Sequence, residues 1–368
     1  MNLRPFTVVL IVPTGVGASI GGFAGDALPV ARAIAQISDT LITHPNVLNG
    51  AQLYWPIPNA LYVEGYALDK FAQGCWGLQP VHQNRIGLIL DRGIEPELQL
   101  RQLQAADAAR ATLGLNITDY VLTDRPLEVE LRMSESGASW GTIANPDSLL
   151  RAAEKLITQA KVQAIAVVAR FPEDEGSKAL ENYRHGTGVD PLAGAEAVIS
   201  HLIVRTFKIP CAHAPALLPL PLDPHLSPRS AAEEIGYTFL PCVLAGLSKA
   251  PQFVTLGSAE RDADRERKYT QLPITADRVD AVVIPATACG GSAILSLSGR
   301  STVQIIAVGD NKTQMQANPE KLGIKALQVN SYLEAIGVLV ALRAGITTAS
   351  LGADISPLRC LSDSTKQI

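Results

Sequence analysis

The chain has 368 residues, 47% of them hydrophobic and 18% charged, with a formal net charge of −4. That is too much apolar side chain for a disordered polymer, and the length suits two domains or one large domain with an insertion. The slightly acidic balance, with no stripe of Lys and Arg, excludes nucleic acid as a partner, because phosphate recognition rests on clustered cations.

Thr7 to Val12 is an unbroken apolar and β-branched run, the mark of a strand buried on both faces. It breaks at Pro13 into a turn, Thr14-Gly15-Val16-Gly17-Ala18-Ser19-Ile20-Gly21-Gly22. After the turn Asp26 is placed to cap a helix to about Ile37, with Pro29 in its first turn. Further strands are predicted at Thr40–Thr43, ending in His44-Pro45-Asn46, at Leu61–Val63, ending in Glu64-Gly65, and at Ile86–Leu90, ending in Asp91-Arg92-Gly93. Pro96 to Leu113 has the pattern of a helix stopped by Gly114. Strands near Tyr120–Thr123 and Leu127–Met133, a loop at Ser134–Ser139, a helix opened by Asn145-Pro146 and a strand at Ala164–Ala169 complete this block.

The next stretch differs. It holds an acidic loop (Glu173, Asp174, Glu175), the turn Arg184 to Pro191 with Asp190 as a helix cap, and a proline-dense passage from Pro210 to Pro228 expected to be irregular. Ser230 and Glu233 have capping-box spacing, and the charged run Glu260 to Lys268 reads as an exposed linker or helix face. From Arg278 strands alternate with helices again: Ala281–Pro285 leads into Cys289-Gly290-Gly291-Ser292, and Val303–Val308 into Gly309-Asp310-Asn311. Ser331 and Glu334 form a second capping box, for a helix to Arg343. The expected fold class is therefore α/β, a mostly parallel doubly wound sheet or sheets with a proline-rich helical insertion. Three segments are expected: 1–171 as an α/β domain, 172–270 as the insertion, and 271–368 as a second α/β unit that completes or packs on the first.

Cys75, Cys211, Cys242, Cys289 and Cys360 are far apart and form no C-x-x-C pair, so a reducing compartment is expected rather than disulfides or a zinc site. The uncharged stretches 5–25 and 281–299 are broken by Pro13 and Pro285 and by glycines, which suits neither a signal peptide nor a membrane span. The expected location is cytoplasmic, without a membrane partner. Homo-oligomerisation stays open.

Strand ends of open parallel sheets carry the candidate chemistry. In the first turn Thr14, Gly15, Gly17 and Ser19 would offer backbone N–H groups to a phosphate or carboxylate. The turn has Ile20 where a dinucleotide fingerprint needs glycine, and it lacks the lysine of a P-loop. Gly17-Ala18-Ser19-Ile20-Gly21 matches a nucleophile elbow, yet it stands too far beyond the strand. At the next two strand ends His44, with Asn46 and Asn49, and Glu64 can orient a polar ligand or move a proton. His185 and Thr187 offer a second acid–base candidate in a glycine-rich turn. His201 falls on an apolar helix stripe, which reads as core, and neither His213 nor His225 has metal-ligand spacing. Cys289, before Gly290, Gly291 and Ser292, is the thiol whose setting best suits a nucleophile, and Asn311-Lys312-Thr313 offers a grip for an anion.

The strings 12–22, 44–51 (His-Pro-Asn-Val-Leu-Asn-Gly-Ala), 62–69 (Tyr-Val-Glu-Gly-Tyr-Ala-Leu-Asp) and 288–291 (Ala-Cys-Gly-Gly) resemble an uncharacterised domain family of cyanobacteria and plant plastids over nearly the whole length. The resemblance implies a photosynthetic source and a stromal or cytoplasmic housekeeping role; it supplies no activity. His185-Gly-Thr-Gly-Val-Asp190 is weakly similar to a turn of the isopropylmalate and hydroxythreonine-phosphate dehydrogenases. Gly188-Val189 replaces that turn's Ala-Pro, and no matching metal carboxylates follow, so that activity is not carried over.

The leading expectation is an enzyme acting on a small anionic metabolite across the strand ends, with His44, Glu64 or His185 moving a proton and no metal or particular cofactor implied. The alternatives are a non-catalytic metabolite- or nucleotide-binding regulator, and a cysteine-dependent hydrolase or isomerase using Cys289.

Overall fold

A computed structural model describes residues 4–49, 53, 55–173, 176–235, 240–257 and 272–358. Gly50, Ala51, Asp174, Glu175, the run 260–268 and Cys360 lie outside the described residues. The chain opens with β1 (Thr7–Leu10), α1 (Leu28–Gln36), β2 (Thr40–Thr43), the single turn α2 (Pro45–Leu48), β3 (Ala60–Tyr62) and α3 (Gly65–Ala72). There follow β4 (Trp76–Gln79), β5 (Ile86–Leu90), α4 (Pro96–Leu113), β6 (Ile117–Leu122), β7 (Val129–Met133), β8 (Ser139–Ile143), α5 (Pro146–Lys155) and β9 (Ala164–Arg170). Next come α6 (Lys178–Arg184), α7 (Ala193–Phe207), β10 (Cys211–Ala216), α8 (Pro228–Ile235), α9 (Leu240–Ser248) and β11 (Gln252–Thr255). The last stretch holds β12 (Val279–Pro285), α10 (Ser292–Ser298), β13 (Gln304–Val308), β14 (Ala326–Val329) and α11 (Tyr332–Arg343).

The fold is α/β and built on two parallel sheets. The larger has the order β14-β13-β12-β1-β2-β3 and the smaller β10-β9-β5-β6, with every neighbouring pair parallel. β4 with β11, and β7 with β8, make two short antiparallel ladders. In the larger sheet the chain winds outward from β1 to β3, leaves to build the smaller sheet, and returns on the other side of β1 as β12 before winding outward again. The direction therefore reverses between β1 and β12, and a crevice opens outside the carboxyl ends of such strands.

The apolar runs explain why these strands are central. Val8, Val9 and Leu10 are wholly buried, as are Ala281, Val282 and Val283 beside them. Side chains alternate between two core layers, and each layer draws on both sheets: Val8 and Leu10 join Leu88 and Leu90 in one, while Val9 joins Ile89 in the other. The sheets share a core. α7 ties them together, touching α3 of the larger and β10 of the smaller.

Segment 271–368 supplies β12, β13 and β14 to the sheet that holds β1, β2 and β3. The segment 172–270 is not only helical, because it contributes β10 and β11. β10 forms inside the proline-dense passage because it is an edge strand, where Pro215 costs the ladder no N–H donor. β8 was not expected; the Ser/Gly loop is the turn joining it to β7, closed by the Ser134 N–H donating to the Ala138 carbonyl at 2.9 Å. Several expected caps are absent: Leu192 rather than Asp190 precedes α7, and Asn145 precedes α5 without a side-chain cap bond. α8 already begins at Pro228, so Ser230 lies inside it and donates to the Arg184 carbonyl. Ala27 precedes α1, while Asp26 accepts from the Gly21 N–H.

Candidate functional site

The crevice lies where the switch point predicts. One recess is lined by Thr14 after β1, His44 after β2, Gly65 after β3, and Gly291 and Ser292 after β12, with Asp69 and His201 facing them. An adjoining recess shares Thr14, His44 and Ala197 and continues to Asn46, Asn49, Glu196, His213 and Glu233. Their volumes are about 880 and 540 Å³, open mouths included, a size that suits small ligands.

Glu64 ends β3 and caps α3. Its Oε2 accepts the N–H groups of Tyr66 and Ala67 at 2.9 and 3.3 Å, so that oxygen is fixed by the helix start. Its Oε1 lies 2.5 Å from Nδ1 of His201 on α7. Glu64 is only 3% exposed, and neither Oε1 nor Nδ1 makes a well-aligned hydrogen bond among the described residues, so the two meet as a close ion-pair contact. Burial pulls the His201 ring toward its neutral form, but the Glu64 carboxylate, the Ala197 carbonyl and Asp69 outweigh it, and its pKa is raised above that of an ordinary histidine. A buried carboxylate behind an imidazole is the arrangement that orients a general base and stabilises its protonated form.

His44 behaves oppositely. Its Nδ1 accepts the Asn46 N–H at 3.2 Å as the cap of α2, which assigns the proton of the neutral ring to Nε2. Burial and the nearby His213 and His201 push its pKa down to about 3, so it is a neutral hydrogen-bond donor at ordinary pH. A Cβ on Gly65 would stand 3.3 Å from Cε1 of His201 and 3.9 Å from Cδ2 of His44. A side chain at position 65 would therefore crowd the His201 ring. On α7, Glu196 and Ser200 share one face and hold His213 of β10, with Nε2 3.4 Å from Glu196 Oε2 and Nδ1 3.2 Å from Ser200 Oγ.

The far wall is acidic. Glu233 Oε2 accepts from the Tyr183 hydroxyl and from the Ala24 N–H, and burial pushes its carboxyl up to about 7. Burial, with Glu233 and Glu196 nearby, also raises Asp190 well above the usual carboxylate range. Burial likewise raises Asp69. Among the described residues no three His, Cys, Asp or Glu are grouped so as to hold a metal ion.

The first turn corrects the anion-site expectation. The N–H groups of Ser19, Ile20 and Gly21 donate to the Lys312 carbonyl, Asn311 Oδ1 and Asp26 Oδ1, and those of Ala24 and Gly25 to Glu233 and the Asn46 carbonyl. The expectation fails for Ser19, whereas the N–H groups of Gly15 and Gly17 are not among these internal donors. Gly15 and Gly17 have φ of +69° and +64°, and a Cβ on Gly15 would meet Ser139 Oγ at 2.6 Å, so these glycines serve the turn's own close packing. Asn311 does not grip a ligand: it is fully buried, and its amide joins the Ile20 N–H and carbonyl to the Tyr332 hydroxyl. Ser19 is exposed with its hydroxyl toward the Lys312 carbonyl, and Thr313 is bonded to Thr287. Asn46 and Asn49 line the crevice while holding the Gly21 carbonyl and the Tyr62 hydroxyl.

His185 and Thr187 stand apart from the crevice, bonded to Asp223 at 2.9 Å and to the Asn182 carbonyl at 3.0 Å. The reactive-thiol expectation is also corrected. Cys289 is wholly buried against the Pro285 and Ala286 carbonyls, and burial pushes its thiol up to about 11, away from the thiolate a nucleophile needs. Gly290 packs on Ala317, and the Ser292 hydroxyl accepts from Gln73. His201 and His213, passed over as core and as spacing without meaning, are instead central. Their partners lie far away in sequence or across the sheet; the available signal was Glu196 and Ser200 at helical spacing in an otherwise apolar helix.

No solved structure matches the chain. It is 57% identical over 364 residues to an uncharacterised lipoprotein of Synechococcus sp. (strain ATCC 27144 / PCC 6301 / SAUG 1402/1), covering 99% of this chain and 98% of that protein. This overturns the cytoplasmic expectation, because the relative's name points to a membrane-anchored protein. No helix among the described residues is long and apolar enough to cross a membrane. Residues 7–352 match a family described as a protein of unknown function (DUF3326). Together the two matches bear out the resemblance to an uncharacterised family with cyanobacterial members: the chain belongs to the DUF3326 family.

Proposed function

We propose that the protein is an enzyme that moves protons on a small polar molecule bound in the crevice between Thr14, His44 and His201. The Glu64–His201 pair carries this reading, since a buried carboxylate keeps one oxygen for a partly exposed imidazole that lines the recess. His201 takes a proton from the substrate and Glu64 stabilises the imidazolium. His44, neutral with its proton on Nε2, donates a hydrogen bond to an oxygen on which charge develops, a role that a charged imidazole would fill less selectively. The His213–Glu196 pair is a second group able to return a proton from the adjoining recess.

An anionic ligand finds little to hold it. The N–H groups of Ser19, Ile20 and Gly21 are used internally, and Asp69, Glu196 and Glu233 line the walls. A neutral or cationic molecule suits the crevice better.

Incubation in deuterated water with pooled aldoses, ketoses and amino sugars, whose carbon beside the carbonyl is acidic and whose carbonyl oxygen takes up the charge, followed by mass spectrometry, tests the proposal. Wild type should drive deuterium into a carbon position of one of them. His201→Asn should lower that rate at least about a hundredfold, the usual contribution of a positioned base, and Glu64→Gln by a smaller factor. Equal incorporation by wild type and His201→Asn would overturn it.

A further inference from the structure

Behind the acidic wall lies a second chamber of about 870 Å³, open mouth included. It shares Glu196, Pro215 and Glu233 with the crevice recess, so the two cavities meet across these three residues. Their linings differ sharply. The chamber is walled by Leu180, Leu217, Leu218 and Leu220 with Pro172 and Pro191, and Leu218 is half-exposed at 50%. Its polar lining includes Asp190 and Tyr183 and the two carboxyl residues shared with the crevice, Glu196 and Glu233. The cation of the lining, Arg184, is bound to Glu234 at 2.7 and 2.8 Å and to the Pro221 carbonyl, so it balances a protein carboxylate.

An apolar cavity whose inner wall is made of carboxylates suits a molecule with two ends. We propose that the chamber receives the apolar tail of an amphipathic ligand whose amine or hydroxyl head rests against Glu196 and Glu233, facing the histidines of the crevice. The proposal rests on the crevice being the reaction site and names the class of molecule it takes. Glu196 and Glu233 can accept hydrogen bonds from an amine or hydroxyl, and the positive charge of an amine favours the ionised form of the raised Glu233 carboxyl, whereas an anionic head would hold that carboxyl neutral and gain nothing from it. The leucines remove the tail from water, and that gain grows with chain length.

Calorimetric titration of the full chain with butylamine, hexylamine and octylamine, and with the matching carboxylates, tests this. For the amines, affinity should rise about fourfold per methylene, the equivalent of ~0.8 kcal/mol for each buried CH₂; the carboxylates should bind far more weakly. Leu218→Asp, at a half-exposed position that spares folding, should flatten the dependence while butylamine still binds. Glu196→Gln should weaken all three amines by a similar factor. Affinity independent of chain length, or carboxylates binding as well as amines, overturns the proposal. His201→Asn separates it from the catalytic reading: a length dependence that survives in this variant and in an inactive wild type supports the chamber and sinks only the proton transfer. Deuterium exchange by wild type with a flat amine series sinks only the chamber.

Discussion

Asn311 and Glu64 make a matched pair. Each is a buried polar residue just beyond a parallel strand, β13 or β3, at the same end of the larger sheet, at 0% and 3% exposure. Asn311 has its amide oxygen and nitrogen bonded to backbone and to a buried tyrosine, so its hydrogen bonding stays inside the fold. Glu64 gives one oxygen to the fold and the other to an imidazole that lines a cavity. Position at a strand end does not distinguish a structural clamp from a chemical group. The destination of the last lone pair does.

The largest expected effect falls on the clamp. Asn311→Leu leaves the Ile20 N–H and carbonyl and the Tyr332 hydroxyl without their partner in a dry site, which should lower unfolding stability by about 3 kcal/mol in urea titration. A loss under ~1 kcal/mol would break the contrast with Glu64. The next effect belongs to the acidic wall. Glu233 has a folded pKa of about 7, raised above its ordinary 4.5. The native state therefore holds this proton more tightly, and the associated stability is present below about pH 4.5 and lost as pH rises through 7. Glu233 keeps some solvent access at the recess wall. The stability difference between Glu233→Gln and wild type should accordingly shift in the variant's favour by only about 1–2 kcal/mol from pH 4.5 to 8; a flat difference would place the proton elsewhere in the acidic group. The smallest effect is spectroscopic. With selectively labelled histidine, the His44 ring should not titrate between pH 5 and 8, since its pKa lies near 3. His201 should titrate above an ordinary histidine, and Glu64→Gln should lower its midpoint by removing the opposite charge. A His201 midpoint indifferent to that substitution would end the comparison in favour of two structural residues.

Much of the fold is legible in the sequence because strands buried on both faces leave unbroken apolar runs: Thr40–Thr43, Ile86–Leu90 and the helix Pro96–Leu113 fall at their expected bounds. Edge elements were less legible. β10 contains proline and β8 opens on a Ser/Gly turn, and only tertiary position makes either a strand. In the crevice His44, Glu64 and Thr14 could be found because strand ends of one sheet face one side. His201 could not, because Glu64 lies 137 positions earlier and the pairing exists only once α7 crosses from one sheet to the other. The glycine turn misled for the opposite reason: its residues are those of a ligand cradle, and only the hydrogen bonds reveal that its second half, Ser19 to Gly21, is bonded within the fold.

The pairing of Val9 with Val282 also sets an order of events. A ribosome delivers β1, β2 and β3 first, and the strand that covers the inner edge of β1 comes only after the whole smaller sheet has been made. The contacts of that smaller sheet are more local, so it can gather while the earlier strands wait with an unpaired edge. Nascent chains stopped before Val279 should therefore be the aggregation-prone species, and release of the segment from Val279 onward is the step that closes the molecule around its crevice.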